Sequence, residues 1–113
     1  MKNIDLEIVK KDSITKEIRI TRNGVAEDIS GWYIYFTVKA DFNDLDASAI
    51  ISKTIQFPSN AESIAGIGYL PLTTSDTDKT IGDYFYDMKL VDGTYRETFL
   101  RGRFNILPTA RLA

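Results

Sequence analysis

Cysteine and histidine are both missing from this chain of 113 residues. Without cysteine there is no disulfide framework and no thiolate nucleophile, an absence that fits a reducing compartment. Without histidine, the commonest general base and the commonest transition-metal ligand are gone. The two absences together exclude the usual zinc sites and the standard Ser-His and Cys-His nucleophile pairs. A strong excess of one charge is missing too. The formal net charge of −2 gives no electrostatic footprint for DNA or RNA and no polybasic anchor for acidic lipids. No apolar run approaches the roughly 20 residues needed to span a bilayer. The N-terminal MKNIDLEIVKKD interleaves charges with apolar residues, unlike a signal peptide. These absences predict a soluble protein made in the cytosol. Its length fits a single domain over residues 1–113, large enough to bury a core without a covalent staple.

What the chain does contain is period-2 alternation. In Gly31–Lys39, GWYIYFTVK, residues Trp32, Ile34, Phe36 and Val38 share one side of an extended strand, and Tyr33, Tyr35, Thr37 and Lys39 share the other. A strand with one fully apolar face needs a second layer over it. Gly82–Val91 repeats the pattern, with Tyr84, Tyr86, Met88 and Leu90 opposite Phe85, Asp87, Lys89 and Val91.

Around these two ribbons the sequence predicts shorter strands: Asn3–Lys10, Ile14–Thr21, Val25–Ile29, Ala49–Ile55, Gly66–Leu72, Thr94–Leu100 and Gly102–Leu107. Asn23-Gly24 and Asp92-Gly93 are tight-turn dipeptides, so Val25–Ile29 is expected to run back along Ile14–Thr21. Ala40–Ser48 reads as a loop with room for one helical turn, and Gln56–Ala65 as a long mobile connection. Thr73–Thr80 reads as a polar crossover in which Ser75 or Asp76 caps a single helical turn. Seven to nine short strands with turns every 8–12 residues give an all-β fold, an immunoglobulin-like antiparallel β-sandwich with at most one short helical turn.

Within that fold, Gly82-Asp83-Tyr84-Phe85-Tyr86 suits the start of strand F. Tyr84 would be the corner tyrosine whose hydroxyl bonds upstream backbone, Tyr86 would take the cysteine position, and Trp32 would be the core tryptophan. Tyr33, Tyr35 and Phe85 are the candidate interface, expected to pack within the second face of their own sheet or against another subunit. A sugar-stacking platform, making the protein a carbohydrate- or host-receptor-binding module, is the alternative. Silence across a broad glycan panel counts against that alternative. Arg96, Arg101, Arg103 and Arg111 enrich the C-terminal quarter in positive charge, but simple alternation spreads them over different faces. Asp41–Asp46 fails the calcium-loop template, since leucine stands at its fifth position and aspartate at its sixth. Gly66-Ile67-Gly68 lacks the third glycine of a phosphate loop. No catalytic, metal or cofactor site is assigned.

Three segments taken in order carry a family resemblance. They are Asp28-Ile29-Ser30-Gly31-Trp32 with Ile34, Phe36, Val38 and Lys39; Leu72–Thr77 followed by Gly82–Leu90; and Asp92-Gly93 with Thr98, Gly102-Arg103-Phe104 and Ile106. This order resembles the immunoglobulin-like N-terminal domain of tailed-phage baseplate upper proteins and related small phage tail or neck accessory modules. It covers approximately Val25–Leu107. The resemblance implies a structural role in a phage or prophage virion, docking one protein onto a multimeric tail or host-recognition assembly. It carries over no catalytic residue and no cofactor. The expected partners are other phage structural proteins and further copies of the chain, with no nucleic acid or membrane. The expected location is the virion, after synthesis in the bacterial host cytoplasm.

Overall fold

The structure, a computed structural model, describes residues 2–110. In chain order the strands are β1 (Lys2–Asn3), β2 (Leu6–Val9), β3 (Ile14–Arg19), β4 (Thr21–Arg22), β5 (Val25–Ala26), β6 (Tyr33–Lys39), β7 (Ile51–Gln56), β8 (Ile67–Leu72), β9 (Gly82–Asp92) and β10 (Tyr95–Leu107). Two single-turn helices, α1 (Ala61–Ile64) and α2 (Thr74–Thr77), and a 3-10 turn at Asp46–Ser48 complete the list.

The alternation that marks Gly31–Lys39 in the sequence puts β6 in the middle of the molecule. Its even-numbered residues Ile34, Phe36 and Val38 have no exposed surface at all. Strand β6 pairs antiparallel with β7 on one side and β9 on the other, β9 pairs with β10, and β10 takes β1 and β2 on its far edge. The last two pairings are parallel, with Lys2 in register with Leu100 and Leu6 with Phe104. Strands β3 and β8 form a separate antiparallel pair. Their Ile18, Leu70 and Leu72 share one core cluster with Phe36, Tyr86, Met88, Leu90 and Phe104 of the large sheet. The fold is therefore all-β, with β3–β8 layered on one face of the six-stranded sheet. Strands β7-β6-β9-β10 facing β3-β8 reproduce the C′, C, F, G and B, E pairings of an immunoglobulin-type sandwich.

The structure departs from the sequence reading in five places. First, the described residues contain three helical turns rather than at most one, and one of them, α1, lies in the segment read as a mobile connection. Asn60 accepts a hydrogen bond from the Ser63 backbone N–H at 2.9 Å, capping α1 inside what reads as a mobile connection. The same segment buries Phe57 in the core. Second, α2 is capped by Thr73, not by Ser75 or Asp76. Thr73 accepts from the Asp76 N–H and Asp76 accepts in return from the Thr73 N–H, a capping box. Third, the Asn23-Gly24 hairpin forms, with both residues at positive φ, but its ladder holds only two pairs. Strand β3 pairs with β8 instead of Val25–Ile29. Gly66 (φ +78) makes this approach feasible, because a Cβ there would stand 2.5 Å from the Ile20 carbonyl oxygen.

Fourth, the two predicted C-terminal strands are one continuous strand, β10, with a bulge between Thr98 and Leu100. Fifth, the opening strand is interrupted at Ile4-Asp5, where the Asp5 carboxylate accepts the Arg103 backbone N–H at 3.0 Å. Ile4 is exposed rather than packed.

Tyr86 lies at the centre of the core, its ring 5.8 Å from that of Phe36 and 6.4 Å from that of Phe104. Its hydroxyl donates to the Ile4 carbonyl at 2.5 Å. Burial, with a smaller contribution from the charge of Asp5, pushes the phenol up to about 12 from its ordinary value near 10. The unfolded chain therefore gives up this proton at lower pH than the folded one. The stabilisation is full below about pH 10 and falls by roughly 1.4 kcal/mol per pH unit up to about pH 12. Urea unfolding across that range, compared between wild type and Tyr86→Phe, should show the extra slope in the wild type alone.

Candidate docking face

The face of the large sheet turned away from the core is assembled from the odd-numbered residues of β6 and β9. Tyr33, Tyr35, Thr37 and Lys39 stand beside Val91, Lys89, Asp87 and Phe85 respectively. All three candidate interface residues thus share one face, but they do not form one patch. Tyr33 and Tyr35 sit at one end and Phe85 at the other, with Thr37 and Asp87 between them. From Tyr35 to Lys39, the partner of Phe85, is about 13 Å at the usual strand rise.

The bulge in β10 adds a feature that plain alternation hides. Arg96 is in register with Val91, Arg101 with Asp87 and Arg103 with Phe85. The extra residue at the bulge reverses the parity of the strand, so these three arginines, one even-numbered and two odd-numbered, point to the same face. This corrects the expectation that alternation disperses them. Arg111 lies outside the described residues.

Two of the arginines are laid over aromatic rings. The Arg96 guanidinium carbon is 5.6 Å from the Tyr35 ring centroid, and that of Arg101 is 4.7 Å from Phe42. Phe42, from the loop after β6, stacks on Phe85 at 4.9 Å between centroids and an interplanar angle of 35°. Residues of both ends border a hollow of about 240 Å³ that includes Lys39, Asp46 and Lys89. Lys39 Nζ donates to Asp46 at 2.7 Å, and this hydrogen bond holds the Asp46 carboxyl below the usual carboxylate range. Lys89 donates to the Thr98 hydroxyl at 2.8 Å.

The loop that supplies Phe42 keeps its other acids engaged locally. Asp41 accepts the Asn43 N–H and Asp44 accepts the Asp41 N–H. Among the described residues, no group of three acidic side chains is arranged to hold a metal ion. No helix among them is long and apolar enough to cross a membrane.

The residues assigned structural roles in the sequence are distributed around the core. The Tyr84 hydroxyl donates to the Thr80 carbonyl at 2.6 Å, four residues upstream. Tyr86 is fully buried. Trp32 lies just before β6, after the Gly31 turn at φ +76, and packs half-buried at the margin of the core instead of in its middle. Its ring meets Tyr95 edge-on at 6.2 Å. Sequence reasoning missed Phe42 and the clustering of the arginines. The signal for neither lies in local pattern, since one depends on how a loop folds back and the other on a bulge.

A second hollow, about 330 Å³, opens between β3 and β10 over Ile18, Leu90, Phe99 and Leu100. Its charged rim is internally neutralised. Arg22 pairs with Glu97 at 3.2 Å and with Glu27 at 3.5 Å, and Arg19 pairs with Glu17 at 2.6 Å.

Fold and face together define an all-β domain with a mixed aromatic and cationic sheet surface. No protein-family model matches the chain, and no curated protein matches it either. Among solved structures it is similar to the N-terminal domain of phage TP901-1 ORF48, with 11% sequence identity and a TM-score of 0.46, over 95% of this chain and 84% of that one.

Proposed function

We propose that this chain is a non-enzymatic structural module of a phage or prophage particle, and that it docks onto other particle proteins and onto further copies of itself through the outer face of its large sheet. The segment resemblance over Val25–Leu107 supports the phage class. The observation that carries docking is the outer face itself, with Tyr33 and Phe42 each about 40% exposed beside arginines stacked on neighbouring rings. Aromatic and arginine side chains are the residue types enriched where protein interfaces hold their binding energy. The same packing disfavours sugar binding. A sugar stacks on a bare ring face, and here Arg96 lies over Tyr35 while Phe42 and Phe85 lie against each other. With no histidine or cysteine in the chain, the Ser-His and Cys-His nucleophile pairs have no residues to be built from.

The test is multi-angle light scattering of the wild type and of Tyr35→Glu over a wide concentration range. Tyr35 faces away from the core, so the variant should fold normally. We expect the wild type to self-associate and the substitution to weaken association by about tenfold or more, as loss of an aromatic contact at an interface requires. A wild type that stays monomeric at every concentration and captures no particle protein overturns the reading.

A further inference from the structure

The outer face carries three guanidinium groups whose hydrogen-bonding capacity is unspent. Among the described residues, Arg96, Arg101 and Arg103 have no carboxylate within ion-pair distance and no side-chain hydrogen bond, although the protein as a whole is acidic. Asp87, opposite Arg101 in the ladder, makes no ion pair with it. Contact with the ring faces of Tyr35 and Phe42 restrains Arg96 and Arg101 while using none of their five N–H donors. A guanidinium held in this way has its fork pre-oriented for bidentate contact with a carboxylate. By contrast, the cations elsewhere on this face are already engaged: Lys39 by Asp46, and Lys89 by Thr98. The hollow between β3 and β10 has its charges paired internally.

Spacing narrows the partner. Arg101 and Arg103 are two residues apart on one strand, which sets them about 7 Å from one another along it. That is also the repeat of alternate side chains on any extended segment. We infer that the outer face is a receptor for an acidic protein segment in extended conformation that presents carboxylates at alternate residues, with Arg96, Arg101 and Arg103 as the receiving groups. This inference rests on the docking reading above and names the chemistry of the partner at that same face.

The experiment uses an alternating Glu-Thr peptide as probe, an alternating Lys-Thr peptide as its charge-reversed control, and a single-stranded oligonucleotide as a phosphate-bearing competitor. Binding is followed by NMR on the full chain, reading the arginine Nε–Hε signals and the backbone amides. We expect the Glu-Thr peptide to shift the signals of Arg96, Arg101 and Arg103 and the amides of β9 and β10 on this face, with affinity falling as salt rises. Replacing all three arginines by serine should weaken binding by about tenfold or more. Replacing them by lysine, which keeps the charge and loses the fork, should recover only part of the loss, and it provides a second readout if the serine variant folds poorly.

The inference is overturned if the arginine signals do not move, if Lys-Thr binds equally well, or if the oligonucleotide binds the face more tightly than the acidic peptide. Light scattering on Tyr35→Glu separates the two failures. Loss of association in that variant without peptide binding would sink the acidic partner and leave docking intact, whereas a wild type that is monomeric at every concentration and captures no particle protein would sink docking itself.

Discussion

Phe36→Ala should destabilise the domain by about 3–5 kcal/mol, the cost of removing a large ring from a packed core that cannot fully collapse around the gap. Phe36 has no exposed surface. It is the middle member of an aromatic trio, 5.8 Å from Tyr86 and 5.9 Å from Phe104, both to be left facing a void. Domains of this size are stable by roughly 5–15 kcal/mol, so the variant would lose a large part of what it has. Equilibrium unfolding in urea reads the loss as a fall in midpoint at unchanged slope. Phe42→Ala provides the contrast, because Phe42 is 39% exposed and stacks outside the core. It should cost less than about 1 kcal/mol. Equal losses in the two variants would mean that β6 does not present its even-numbered residues to the interior.

Gly102→Ala should cost about 3 kcal/mol and release the amino-terminal strands from β10. A Cβ on Gly102 would stand 2.2 Å from the Ile4 carbonyl oxygen, and Gly102 lies opposite Tyr86 in the β9–β10 ladder. That carbonyl is also the acceptor for the Tyr86 hydroxyl. One methyl group would therefore push away a backbone segment and strand a buried hydroxyl without its partner. Overpacking and the lost hydrogen bond each contribute on the order of 1–3 kcal/mol. Hydrogen exchange gives the specific readout. The Ile4 N–H, bonded to the Arg101 carbonyl at 2.9 Å, should exchange far faster in the variant, while the amides of β6 slow or quicken only with global stability. Unchanged protection at Ile4 would show that the close approach is not needed.

The parts of the fold that were legible in the sequence are those where one strand's chemistry decides its own placement. The aromatic and β-branched alternation of Ile34, Phe36 and Val38, and of Tyr86, Met88 and Leu90, leaves little freedom in which face is buried, and all six are buried. The Asp92-Gly93 turn is equally local, and it joins β9 to β10 as its dipeptide indicates.

What escaped depends on pairs of distant segments. The partner of β3 is β8 rather than its neighbour in sequence, because Gly66 lets two backbones meet at Ile20. Phe57 looks like a loop residue until Gly68 is seen to leave it room, a Cβ at Gly68 standing only 2.3 Å from the ring. The outer face was half legible. Tyr33, Tyr35 and Phe85 were placed on one side by counting, but the bulge that turns Arg96 to the same side as Arg101 and Arg103 leaves no mark in composition or period.

The parallel seam between the opening strands and β10 also bears on how the chain reaches its folded state. Asn3 is in register with Arg101 and Ile8 with Ile106, so this seam closes one of the longest loops the topology contains. Contacts of such separation pay their closure entropy before they return any energy. On a ribosome, β1 and β2 emerge well before β10 and must wait with an edge unpaired until it follows, and that interval is when another nascent copy could claim the vacancy.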